Sequence, residues 1–166
     1  VSTSSFVPKP FTPFQWEPQN RMEMLVEKQD FLKERIKTRN ISYNWHRSHV
    51  SFLEAVFAKG DRRLSDVLIA AHKKGCKFDS WNECFCLEKW EEAFEECGID
   101  PKFYSERQRS FDEINPWDHL DYAVTKDFLI KENKLAHSEN TTPNCREKCS
   151  NCGANCYKEG VCFEKR

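Results

Sequence analysis

Five cysteines fall within eighteen positions near the end of the chain, spaced Cys145-x3-Cys149-x2-Cys152-x3-Cys156-x5-Cys162. No other stretch limits the local fold so sharply. Such short spacers turn the backbone tightly enough to gather several sulfurs around one centre, which thiolates bind at about 2.3 Å. The step Cys149-Ser-Asn-Cys152-Gly153 has the two-residue spacer and following glycine of a metal knuckle. Zinc needs four thiolates and five are present, without a histidine inside the run. An all-thiolate set of this spacing suits an iron–sulfur cluster equally well. Two other readings compete: disulfides, or a thiol-rich tail without a defined role. Nine cysteines in all is an odd number, which argues against a fully paired disulfide framework. The other four (Cys76, Cys84, Cys86 and Cys97) lie in a helical stretch and read as buried small apolar groups. This distribution points to buried thiols plus one ligand cluster in a reducing cytoplasm.

The rest of the composition sets limits. A chain of 166 residues fits one domain, or one small domain with an appendage. A formal charge of −1 gives no electrostatic case for nucleic acid, which requires a concentrated basic surface. Thirteen Phe and five Trp supply enough bulk for a core. No apolar run is long enough for a membrane span, and no basic-then-apolar leader stands at the start. The expected location is the cytoplasm.

Along the chain, Val1–Val7 is rich in β-branched and small residues and reads as a single strand. A lone strand cannot pair with itself, so its partners are expected outside this chain, as though the chain were cut from a longer polypeptide. Pro8, Pro10 and Pro13 make the next segment an extended loop carrying Phe11, Phe14 and Trp16. A helix is predicted over 20–38, capped by Asn20 with Glu23 as capping-box partner. Further helices are predicted over 48–59, from Asp61 to Gly75, over 87–97 and over 125–137, with Gly60, Gly75 and Gly98 at their ends. Pro116-Trp-Asp-His119 reads as a turn, and Ser138 opens a polar linker. The predicted fold class is mainly α, with one N-terminal strand, a helical extension and a Cys-rich tail.

Several stretches carry a resemblance. Ser5-Phe-Val-Pro-Lys-Pro-Phe-Thr-Pro-Phe-Gln-Trp16 resembles the end of the last barrel strand in radical S-adenosylmethionine enzymes, with a related strand end in the methylthiotransferases. Ser42-Tyr-Asn-Trp-His46, Ser51 to Leu64, Gly98-Ile-Asp-Pro101 and Pro116-Trp-Asp-His-Leu-Asp121 resemble the C-terminal portion of a bacterial radical S-adenosylmethionine family with an N-terminal cobalamin-type domain. The resemblance runs across the whole chain. The catalytic Cys-x3-Cys-x2-Cys that such enzymes carry near the start of the barrel is absent. Cys145, Cys149 and Cys152 copy its spacing but follow the barrel, so the resemblance implies an auxiliary cluster or a structural zinc there.

The resemblance further implies three parts. Residues 1–40 would be the end of an α/β barrel, strand, Pro-rich loop and covering helix. Residues 41–137 would be a helical extension, and 138–166 the linker and metal tail. Lys9, Thr12, Gln15 and Trp16 would leave the C-terminal barrel edge, where barrel enzymes build their sites. Packing of that loop on the extension is the competing reading. His46 and His119 would reach the cleft from the cap, although packing or capping roles fit them as well. The implied function is part of the substrate cleft plus an accessory cysteine site, inactive alone. S-adenosylmethionine and possible cobalamin belong to the parent protein, and the partner is the upstream part of the same polypeptide. The alternative is a stand-alone helical module with a zinc knuckle, engaging protein or RNA.

Overall fold

A computed structural model describes residues 1–157. The chain forms two compact units. The first comprises Val1–Pro8 with Glu17–Gln108, and the second comprises Lys9–Trp16 with the chain from Arg109 onward. The described residues are mainly helical, with a two-stranded sheet near the start. No helix among them is long and apolar enough to cross a membrane.

In the first unit, β1 (Ser2–Thr3) pairs in parallel with β2 (Asn44–Trp45), Ser2 opposite Asn44 and Thr3 opposite Trp45. The opening strand therefore has a partner within the chain, against the expectation that all its partners lie elsewhere. The pairing covers two residues on each strand, shorter than the strand expected over 1–7. Helix α1 (Met22–Arg35) lies between the two strands in sequence, making a β-α-β unit. It starts two residues later than predicted, and Asn20 does not cap it. Gln19 fixes the approach instead: its N–H donates to Ser105 O at 2.8 Å and its amide to Ser51 O at 3.1 Å. Arg21 then enters the helix with extended backbone and no side-chain cap.

The core of this unit comes from α2 (Ser48–Ala58), α3 (Leu64–Lys73), α4 (Leu87–Glu96) and the short α5 (Lys102–Ser105). Phe52, Val56, Leu64, Val67, Trp90, Phe94 and Tyr104 form one buried cluster. Their three- and four-residue spacing is what the sequence shows. Helices α3 and α4 end alike. Gly75 (φ 89°) and Gly98 (φ 63°) take the left-handed conformation. Behind them Cys76 N–H reaches Ala71 O and Ile99 N–H reaches Phe94 O, both at 3.0 Å. These are the closing bonds of a Schellman cap. Gly60 serves otherwise: a Cβ there would strike the Leu64 side chain and meet Val56 O at 3.0 Å, so the residue is needed for close approach. Asp61 accepts from Arg63 N–H at 2.9 Å, so it organises the turn before α3 and the helix itself begins at Leu64.

The second unit holds α6 (Lys126–His137), whose N-cap Thr125 accepts from Phe128 N–H at 3.3 Å. The Pro-rich loop is turned, where an extended loop was expected. Gln15 N–H closes onto Thr12 O at 3.0 Å, and Phe11 has φ 58°. Phe11 stacks on Tyr122 at 4.3 Å, and Trp16 meets Phe111 edge-on at 5.0 Å. The residues 116–119 form the predicted turn.

Candidate functional site

Where the chain leaves β2 and enters α2, the first unit holds a cleft of about 530 Å³. Asn44, Trp45, His46 and Arg47 line one side, and Ser80 and Asn82 the other. Parallel pairing puts the C-terminal ends of β1 and β2 at one edge, and His46 N–H donates to Thr3 O at 3.0 Å across it. In sheets of this kind ligands bind beyond the C-terminal strand ends. Three contacts fix the His46 backbone and ring. The carbonyl accepts from Gln29 Nε2 at 2.9 Å, and Nδ1 lies 2.8 Å from the hydroxyl of Ser51, which is fully buried. Trp45, 41% exposed, is braced by the Tyr43 ring at 5.4 Å and by Lys33 Nζ at 4.1 Å. Arg47 stands at the N-cap of α2; no side chain caps that helix and its first turn carries no acid.

The other predicted substrate-facing residues belong to the second unit. Lys9 and Thr12 are half-buried, and Thr12 Oγ1 donates to Lys9 O at 2.7 Å. Gln15 and Trp16 are enclosed, at 3% and 0% exposure. Gln15 Oε1 accepts from Trp117 Nε1 at 2.7 Å and from Phe11 N–H at 3.0 Å, so this side chain ties the loop to the 116–119 turn. His119 is exposed on that turn. Beside it, Asp118 Oδ2 accepts from Asn115 N–H at 2.9 Å.

The predicted metal ligands Cys145, Cys149, Cys152 and Cys156 are free thiols, and Cys162 lies outside the described residues. Among the described residues, no group of three or more His, Cys, Asp or Glu is gathered closely enough to hold a metal ion. The knuckle backbone, in contrast, is formed. Asn151 (φ 56°) and Gly153 (φ 100°) are left-handed, and Cys156 N–H donates to Gly153 O at 3.0 Å to open the 3-10 turn Ala154–Tyr157. The knuckle is seated on the start of α6. Thr125 N–H donates to Cys152 O at 2.9 Å, and a Cβ on Gly153 would meet Ala123 O at 2.6 Å. Soft thiolates on a turning backbone fit zinc or cluster iron in kind, while their sulfurs stand ungathered.

Of the four inner cysteines expected to be buried, only Cys76 is, and burial pushes its thiol up from the ordinary value; Cys86 and Cys97 are half-buried and Cys84 is exposed. The backbone hydrogen bond at Glu88, and after it the Cys86 Sγ–H donated at 3.2 Å, hold the Glu88 carboxyl below its usual range. Sequence reading missed Arg47, Ser51, Ser80 and Asn82. Ser80 and Asn82 lie in an irregular stretch with no periodicity. Arg47 adjoins the Ser42–His46 motif and was within reach of it. No family model, curated protein or solved structure matches the chain.

Proposed function

We propose that this chain is the C-terminal region of a radical S-adenosylmethionine enzyme of the cobalamin-domain type. It contributes part of a substrate cleft and an accessory cysteine site, and is inactive alone. The observation that supports this is the β1–α1–β2 unit. Parallel pairing is the habit of sheets covered on both faces by helices, and two strands of two residues each are too few to stand alone. Apolar side chains are left uncovered on the same unit: Val1 at 66%, Phe6 at 61% and Phe31 at 51% exposure. Such a unit fits an α/β barrel whose other strands come from the upstream part of the same polypeptide, in the cytoplasm. S-adenosylmethionine and any cobalamin belong to that upstream part. The tail thiols Cys145, Cys149, Cys152 and Cys156, with Cys162, are the accessory ligands. A cluster held there would supply electron transfer or a free iron site, and a zinc ion would supply only a fold-locking crosslink.

Anaerobic reconstitution of the chain with iron and sulfide is the test. An absorption band at about 400 nm is expected, lost when Cys149 and Cys152 are replaced by Ala. The reduced protein should not convert S-adenosylmethionine to methionine and 5′-deoxyadenosine. Cleavage by this chain alone would contradict the reading. One tightly bound zinc without the band would favour the second reading, a helical interaction module with a zinc knuckle. The seating of Cys152 and Gly153 on the start of α6 is the observation in its favour. Tail disulfides in protein isolated under reducing conditions would remove both.

A further inference from the structure

We propose that the cleft beyond β2 binds the phosphate monoester of a small organic molecule. The charge of its walls is one-sided. Arg47 lines it and carries its one fixed charge, none of the lining residues is acidic, and Lys33, against the Trp45 ring, is itself paired with Asp30 at 2.9 Å. Asn44, Ser80 and Asn82 add amide and hydroxyl donors from both sides. Donors of this kind, with a planar guanidinium among them, match the three oxygens of a phosphate better than a single carboxylate. The positive end of α2, uncapped and free of acids in its first turn, adds to the same field.

The cleft is also too large for phosphate alone. At about 530 Å³ it lies in the size range of small-molecule sites, about 300–1,000 Å³. The indole of Trp45 offers the apolar wall for the organic part, and its bracing by Tyr43 and Lys33 keeps it in place without a ligand. His46 is held in the same way by buried Ser51, so its ring is oriented before anything binds. A site with its donors already oriented loses less freedom on binding. The proposal stands on this cleft alone. The iron–sulfur test reads the tail, in the other unit, so either can fail without the other.

Phenyl phosphate titrated into the full chain, followed by calorimetry and by the proton signals of the His46 ring, tests it. Saturable binding is expected, with the His46 signals moving in step. Phenyl phosphate should bind about tenfold or more tighter than inorganic phosphate, and phenol should not bind, since both the anion and the ring are recognised. Arg47→Gln should weaken phenyl phosphate by about tenfold to a hundredfold, the range for one charge-assisted hydrogen bond. Asn82→Ala, in an exposed loop, should weaken it by several-fold, and it decides the matter if Arg47→Gln does not fold. No saturable shift at His46, equal affinity for inorganic phosphate, or binding unchanged in folded Arg47→Gln would each overturn the proposal.

Discussion

The two units are held by different chemistry. In the first, the buried side chains are mostly apolar and come from helices that meet face to face, Phe52 and Val56 from α2, Val67 from α3, Trp90 and Phe94 from α4. In the second, polar residues outnumber apolar ones among the described residues that are buried. Gln15, Arg109, Asn115 and Asn133 lie inside with Trp16, Trp117 and Leu129. Most of these side chains are paired: Arg109 Nη1 donates to Asn115 Oδ1 (2.8 Å), Asn133 Nδ2 to Pro13 O (2.9 Å) and Trp117 Nε1 to Gln15, while Trp16 Nε1 and Asn115 Nδ2 are buried without a hydrogen-bond partner among the described residues. Apolar burial is non-directional and tolerates repacking, whereas buried hydrogen bonds tolerate almost no change of partner. The first unit is thus stabilised by area and the second specified by pairing.

Phe94→Ala strikes the first unit at 3% exposure, within the α3–α4 seam. It should lower stability by about 3–5 kcal/mol, transfer loss and cavity together. Urea unfolding measures this, and faster amide exchange in α3 and α4 locates it. A loss below about 1 kcal/mol would mean that the apolar cluster does not hold the unit, contrary to the usual cost of such a cavity.

Gln15→Leu is the sharper probe of the second unit, because it makes the interior more apolar. It removes the acceptor of both Trp117 Nε1 and Phe11 N–H. A loss of about 2–3 kcal/mol is expected, with faster exchange at the Arg109 amide, since a stranded buried donor costs about 1–3 kcal/mol. A neutral or stabilised variant would erase the distinction between the units.

The same contrast explains what could be read in the sequence. Helices α2, α3 and α4 were legible because their apolar residues recur at helical spacing and Gly75 and Gly98 mark two of their ends, all local signals. Helix α5 has four residues, too few for any period to show. The pairing of Thr3 with Trp45 joins two-residue strands far apart in sequence, and nothing local announces it. Gln15 and Trp117 stand 102 positions apart, so the enclosure of Gln15 was equally hidden, although the proline spacing did show that the loop was special. In the tail, spacing and Gly153 announce the knuckle turn. Whether sulfurs gather is decided by a metal, which no spacing supplies.

One polar linkage sits at the rim of the apolar unit and sharpens the comparison most finely. Arg63 grips Asp61 through Nε (3.0 Å) and Nη2 (2.6 Å), and Tyr104 Oη donates to the same carboxylate at 3.2 Å. The side-chain bond from Arg63 lowers the Asp61 pKa to about 2, against the partial burial that would raise it. A carboxylate whose folded pKa is depressed contributes stability above its unfolded value, and that contribution is lost as pH falls towards the folded value. The window therefore runs from about pH 4 down to about pH 2. Because Asp61 is partly solvated and Arg63 is exposed, screening should keep the contribution below about 1 kcal/mol. Asp61→Asn should accordingly cost about 0.5–1 kcal/mol at neutral pH and flatten the fall in stability between pH 4 and 2, as read by urea unfolding at a series of pH values. A loss at neutral pH as large as that of Gln15→Leu would mean that pairing, and not area alone, also holds the first unit.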